Sequence, residues 1–266
     1  MLGWWRQMQT RRQDAAVARR AIPDDLWKRT LGRHAFLRRV DPADAAELRR
    51  MTSLFLDRKE FTASGGLQLR DAMVVAIAAQ AVLPVLRLGL DRYDGFVGIV
   101  VHPGQVVARR QHTDEDGLVH QYDEVLAGEA MEGGPIMLSW QDVGAAGRSA
   151  AQSYNVVIHE FAHVLDMADG LADGVPLLPA ELPRSEWLAT LQADLTRLQT
   201  RVAAGDATTL DPYGAQGAEE FFAVASEAFF VNPEAMQAEY PCLYGLFTRF
   251  YRQDPAQDTP APRRAA

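Results

Sequence analysis

Two histidines four residues apart, His159 and His163, stand in the segment SYNVVIHEFAHVLDM with Glu160 beside the first of them. One helical turn brings such positions onto the same face, so both imidazoles can bind a single ion. A carboxylate next to the pair is placed to take a proton from a water that the ion polarises. The His-Glu-x-x-His pattern therefore predicts metal-assisted hydrolysis, with His159 and His163 as ligands and Glu160 as general base. Val156, Val157, Ile158, Phe161, Ala162 and Leu165 flank these residues, which predicts a buried helix bordering a dry cleft. The alternative, two hydrogen-bonded core histidines, leaves buried imidazoles and a carboxylate in need of partners that a metal supplies naturally.

A catalytic zinc site usually has three protein ligands and one open position. Asp169 lies six residues after His163, where an extended motif places its last ligand, but the turn position before it is Asp166 rather than glycine. A second source is the segment GAEEFFAVASEAFF, in which Glu219, Glu220 and Glu227 interrupt an apolar helical pattern. Buried carboxylates require a cation or hydrogen-bond donors. Glu220 and Glu227 share a helix face, so one can bind zinc while the other accepts a hydrogen bond from a ligand histidine. Two histidines with one carboxylate favour zinc among the divalent ions.

The elements that must position these residues read as helices, then strands, then helices, which predicts an α+β fold. The first ninety residues read as helical, with PADAAELRRMTSLFLDR carrying Pro42 in a first turn and residues 68–83 forming a second helix. ASGG at 63–66 marks a loop between them. From residue 92 to about 140 the short apolar runs FVGIVV, QVVARR, LVHQY and PIMLSW predict a small sheet, with PIMLSW a candidate edge strand for an extended substrate. Helical patterns follow at about 148–168, 184–203, 216–230 and 240–252. The expected organisation is a helical N-terminal region over 1–90, a catalytic domain over 91–253 and a disordered tail over 254–266.

Composition narrows the function classes. The formal net charge is −8 over 266 residues, yet residues 1–40 hold ten of the 27 Arg and Lys and only three of the 35 Asp and Glu. The basic arm reads best as a solvated helical face or a contact with the acidic body, and the acidic balance speaks against direct nucleic-acid binding. The single cysteine, Cys242, sits in an apolar segment and is expected to be a buried free thiol in a reducing compartment. No signal-peptide run is seen, and the apolar stretch 72–86 is too short and too interrupted to span a bilayer, so a cytoplasmic protein without membrane contact is expected.

Together, FTASGG at 61–66, LPVLRLGLDRYDGF at 83–96, GLVH at 117–120, GPIMLSW at 134–140, IHEFAHVLDM at 158–167 and FAVASEAFF at 222–230 resemble the Mlc titration factor A family of bacterial zinc peptidases. Its catalytic domain is similar to that of anthrax lethal factor, which implies a zincin-like metallopeptidase domain with a small mixed sheet and an active-site helix. The resemblance implies His159, His163 and Glu220 as the zinc ligands, which sets aside Asp169 and Glu219, and Glu160 as catalytic base. It also implies that Tyr213, in DPYG seven residues before Glu220, donates a hydrogen bond to the tetrahedral oxyanion. The implied activity is aminopeptidase-like hydrolysis of a peptide or protein substrate. The implied partner is a transcription repressor of the Mlc type. A protein that binds such a regulator and keeps zinc only as scaffold or vestige is the competing expectation.

Overall fold

A computed structural model describes residues 2–113, 119–131, 133–146 and 153–257 of the chain. It is a mixed α/β structure with a helical N-terminus. The helices α1 (Leu2–Arg19), α2 (Asp24–Arg33) and α3 (Pro42–Arg58) come first, and α4 (Asp71–Val82) follows a short strand, β1 (Glu60–Ala63). Strands β2 (Gly98–His102), β3 (Val106–Thr113), β4 (Val119–Leu126), β5 (Gly128–Ala130) and β6 (Ile136–Ser139) occupy the middle. The last part is helical again: α5 (Trp140–Ala145), α6 (Val156–Asp166), α7 (Arg184–Ala204), α8 (Ala218–Val231), α9 (Pro233–Glu239) and α10 (Pro241–Tyr251).

Four strands form one mixed sheet in the order β1-β2-β6-β5. β1 and β2 are parallel, with Phe61 opposite Ile99, and β2 and β6 are parallel, with Val101 opposite Leu138. β5 then returns antiparallel, with Gly128 opposite Leu138. β3 and β4 make a separate antiparallel hairpin. Two expectations change here. The first ninety residues, read as helices joined by a loop, also contain β1, because four residues with one aromatic and one β-branched side chain show too little periodicity to be read as a strand. PIMLSW is an inner strand, paired on both sides, and the edge beyond it is the three-residue β5. Gly-Glu-Ala carries no strand-favouring side chain, so nothing local announces it.

The loop expected at ASGG is present: Gly65 and Gly66 both have positive φ, at 60° and 77°, which a side chain disfavours. Asp41 caps α3, accepting from the Ala43 amide at 2.7 Å, with Pro42 in the first turn. The Arg-rich arm packs its end on α3, where Arg19 meets Asp57 at 2.9 Å and Arg50 donates to Gln13 at 2.7 Å. Among the described residues no helix is long and apolar enough to cross a membrane. The stretch at 72–86 is instead buried core, most of it in α4. Cys242 is exposed, contrary to expectation. The buried positions of α10 are Leu243, Tyr244, Leu246, Phe247, Phe250 and Tyr251, and position 242 falls outside that stripe. The tail from 258 onward lies outside the described residues.

Two aromatic layers hold the helices that matter for function. Phe55, Tyr93 and Phe96 surround Phe161 of α6, with Tyr93 and Phe161 centroids 4.9 Å apart. Trp187, Phe247 and Phe250 surround Phe222 of α8, and Trp187 stacks on Phe247 at 5.6 Å. At the start of α6, Asn155 accepts from the amides of Val157 and Ile158, both at 3.1 Å, while its Nδ2 donates to Gln80 Oε1 of α4 at 2.9 Å. Gln80 in turn donates to the Ala76 carbonyl at 3.0 Å. A buried polar residue thus caps one helix and satisfies another. Asn155→Ala removes the cap and leaves Gln80 short of a donor, so urea unfolding should show a loss of about 2–3 kcal/mol; a loss under about 0.5 kcal/mol would reject this role.

Candidate metal centre

α6 presents His159 and His163 one turn apart, with their Nε2 atoms separated by 3.1 Å. α8 crosses them and places Glu220 Oε2 at 3.1 Å from His159 Nε2 and 3.5 Å from His163 Nε2. Three ligand atoms from two helices therefore converge on one point, the one such cluster among the described residues. Atoms about 2.0–2.2 Å from a tetrahedral ion stand roughly 3.3–3.6 Å apart, close to the separations observed. Glu220 Oε2 is enclosed and accepts no well-directed hydrogen bond, as a carboxylate oxygen waiting for a cation would be. The residues present fit a divalent metal.

Behind the cluster, Glu227 of α8 accepts at Oε1 from His159 Nδ1 at 2.8 Å and at Oε2 from the Asn155 amide. A proton on Nδ1 leaves the Nε2 lone pair facing Glu220 and His163, the tautomer that metal binding needs. Asp169 is not part of the cluster and instead accepts from the Leu171 amide at 3.2 Å in the turn after α6. Tyr213 lies on the turn Pro212–Ala215 before α8, and its ring centroid is 6.0 Å from that of His159. A cavity of about 280 Å³ is lined by Gly128, His159, Glu160, Tyr213 and Glu227.

Electrostatics mark the site as short of positive charge. Burial pushes the carboxyls of Glu160 and Glu227 up. For Glu220, burial acts in the same direction, but His159 and His163 outweigh it and hold its pKa near about 2. For His159, burial opposes the charged form, yet the carboxylates of Glu220 and Glu227 beside it win and raise it well above the usual imidazole range. Three carboxylates and two imidazoles in one partly buried cleft are balanced better by a dication than by a proton.

Comparison with known proteins bears on this arrangement. The family described as glucose-regulated metallo-peptidase M90 matches residues 5–252. The chain belongs to that family. It is 38% identical over 212 residues to a protein named Mlc titration factor A from Pectobacterium atrosepticum, covering 79% of each chain. It is 35% identical over 224 residues to the protein of that name from Klebsiella pneumoniae, covering 83% of each. For the one from Salmonella arizonae the identity is 36% over 217 residues, covering 80% of this chain and 85% of the relative. Membership in the M90 metallopeptidases implies a divalent metal, and the cluster of His159, His163 and Glu220 is where this chain offers one a place.

Gly128 and Asn155 of this M90 chain also serve the site, although neither belongs to the His-Glu-x-x-His pattern. Asn155 carries a legible signal, an N-cap residue one position before an apolar helical run. Gly128 carries none. On β5 its Cα faces the side chain of Glu160, which is buried at 5% exposure, and a Cβ built there would fall 2.6 Å from Glu160 Cγ and 2.7 Å from Cδ. Only glycine lets the carboxylate rest against the sheet edge. Gly128→Ala should therefore destabilise the chain by about 1–3 kcal/mol through overpacking, and most of that loss should vanish in a Glu160→Ala background. Equal losses in both backgrounds, measured by chemical denaturation, would show that the two residues do not press on each other.

Proposed function

We propose that the chain is a zincin-like, zinc-dependent peptidase with aminopeptidase-like activity, working at the cleft between α6, α8 and β5. The observation that carries this reading is the convergence of His159, His163 and Glu220 on one point with the carboxylate of Glu160 beside it. Zinc held by those three ligands would supply Lewis acidity, making a water more acidic and drawing electron density from a carbonyl oxygen. Glu160 accepts the proton of the attacking water and returns it to the leaving amine. Burial, which raises its pKa, suits it to holding that proton between the two transfers. Glu227 holds the His159 ring in its working tautomer. Tyr213 donates a hydrogen bond to the oxygen on which negative charge develops. β5, the sheet edge beside Glu160, pairs with the extended substrate backbone, the part first assigned to PIMLSW. We read the chain as cytoplasmic on its single cysteine.

The relatives' name favours a second reading, in which the chain binds a repressor of the Mlc type and the metal site serves as scaffold. One comparison separates the two. The purified chain should hold about one zinc equivalent and hydrolyse aminoacyl or peptidyl chromogenic substrates, and Glu160→Gln should keep the metal and lose turnover by about 10²- to 10⁴-fold. Zinc with no hydrolysis by the unaltered chain, together with repressor binding that survives Glu160→Gln, supports the scaffold instead.

The ligand set has its own test. Glu220→Ala should weaken zinc retention by more than the roughly 10- to 100-fold typical of losing a group behind a ligand, whereas Asp169→Ala should leave it unchanged. Competition with a chromogenic chelator reads both affinities, and the opposite pattern would move the third ligand to Asp169.

A further inference from the structure

The largest groove described lies beyond the metal cluster and has no role in the chemistry above. It encloses about 800 Å³, within the range of sites that take sizeable ligands. Its wall is apolar: Phe96 and Ile136 are buried, Val164 and Met167 are half-buried, and Met131 and Leu177 keep 43% and 44% of their surface exposed. Among the described residues the two charged ones that line it are Asp91 and Arg92, and Arg92 is engaged with the Leu177 carbonyl at 3.3 Å.

Two elements, α6 and β5, lead from the site to the groove. Val164 follows the ligand His163 directly, and Met167 lies one helical turn further along. Met131 follows the last residue of β5, so the edge that begins beside Glu160 at Gly128 runs out into this groove. A strand rises about 3.3 Å per residue, so a peptide laid along β5 brings a residue about three positions from the cleaved bond to Met131. In the sheet order β5 is the end strand, beyond β6.

Both walls are fixed before any ligand arrives. Buried Lys59 reaches across from the end of α3 and donates through Nζ to the carbonyls of Tyr93 and Phe96, which pins the 93–96 turn. On the other side, buried Asp166 accepts from the Gly174 amide at 2.9 Å and Trp187 donates to the Gly174 carbonyl at 2.8 Å, which pins the loop leading to Leu177. A preformed apolar groove with two large side chains left exposed is shaped for an apolar occupant.

We infer that this groove receives bulky apolar side chains of an extended peptide bound along β5, and that it sets a preference for such residues on one side of the cleaved bond. The inference rests on the peptidase reading and gives that site its substrate class. Because a few backbone hydrogen bonds to β5 are the same for every peptide, the groove must supply the selectivity.

The test uses zinc-loaded Glu160→Gln protein and dye-labelled, alanine-based hexapeptides in which one leucine or one aspartate is moved through each position. Fluorescence anisotropy should show binding at least about tenfold tighter with leucine than with alanine at one or two positions, and weakest with aspartate there. Met131→Asp and Leu177→Asp, both surface changes, should erase the leucine gain. A flat profile, or a gain that survives both changes, overturns the inference. So does a leucine-independent shift in oligomeric state caused by Met131→Asp, which would make the groove a contact between copies of the chain. Hydrolysis by the unaltered chain without apolar preference would defeat this inference alone, whereas absence of any hydrolysis or peptide binding would defeat the peptidase reading with it.

Discussion

The carboxylate of Glu227 is the constraint from which the rest of the site follows. One oxygen accepts from His159 and the other from the Asn155 amide, so a single buried group on α8 fixes both the ring orientation of α6's first histidine and the position of α6's first turn. Leaving either oxygen unpaired in the interior would cost a few kcal/mol, which keeps the two helices in register. The seven-residue separation from Glu220 is two helical turns, so the same helix face that anchors the histidine from behind also delivers a carboxylate to its front. A shift of α8 along its axis would spoil both contacts at once.

This register is held from further away by packing as well as by polar contacts. Phe161 and Phe222 project from α6 and α8 away from the cleft into separate aromatic clusters, and each cluster draws on elements distant in sequence. The chain from Glu227 through Asn155 to Gln80 then connects the site to α4, which lies within the core. A metal site needs its ligands placed within a few tenths of an ångström, and here that placement depends on six helices, α3, α4, α6, α7, α8 and α10, that meet only in the folded chain.

That dependence explains how much was legible beforehand. His159, Glu160 and His163 are local, because their relation is fixed by one helical turn, and the pattern alone locates them. Glu220 and Glu227 were visible as carboxylates in an apolar helix, but choosing between them required knowing which end of α8 meets α6, a matter of tertiary crossing that spacing does not encode. The long periodic helices α3, α7, α8 and α10 were read nearly to their ends, since many residues contribute to each signal. β1 and β5 were missed because three or four residues cannot display alternation, and β5 has no side chain suited to a strand. Cys242 was misplaced inward because an apolar segment was treated as buried all round, whereas α10 buries one stripe.

The shortness of β5 has a further physical meaning. An open sheet edge invites pairing with any other chain, and a long apolar one would be an aggregation hazard. Three residues limit that hazard, and the glycine among them is required by the Glu160 side chain packed against it. The same brevity makes backbone pairing alone too weak and too general to select a ligand. Discrimination must then come from side-chain contacts beyond the strand, and the apolar groove past Met131 is the feature in line with β5 that offers them. In the proposed peptidase the edge sets the direction of a bound chain, and the groove decides which chains stay.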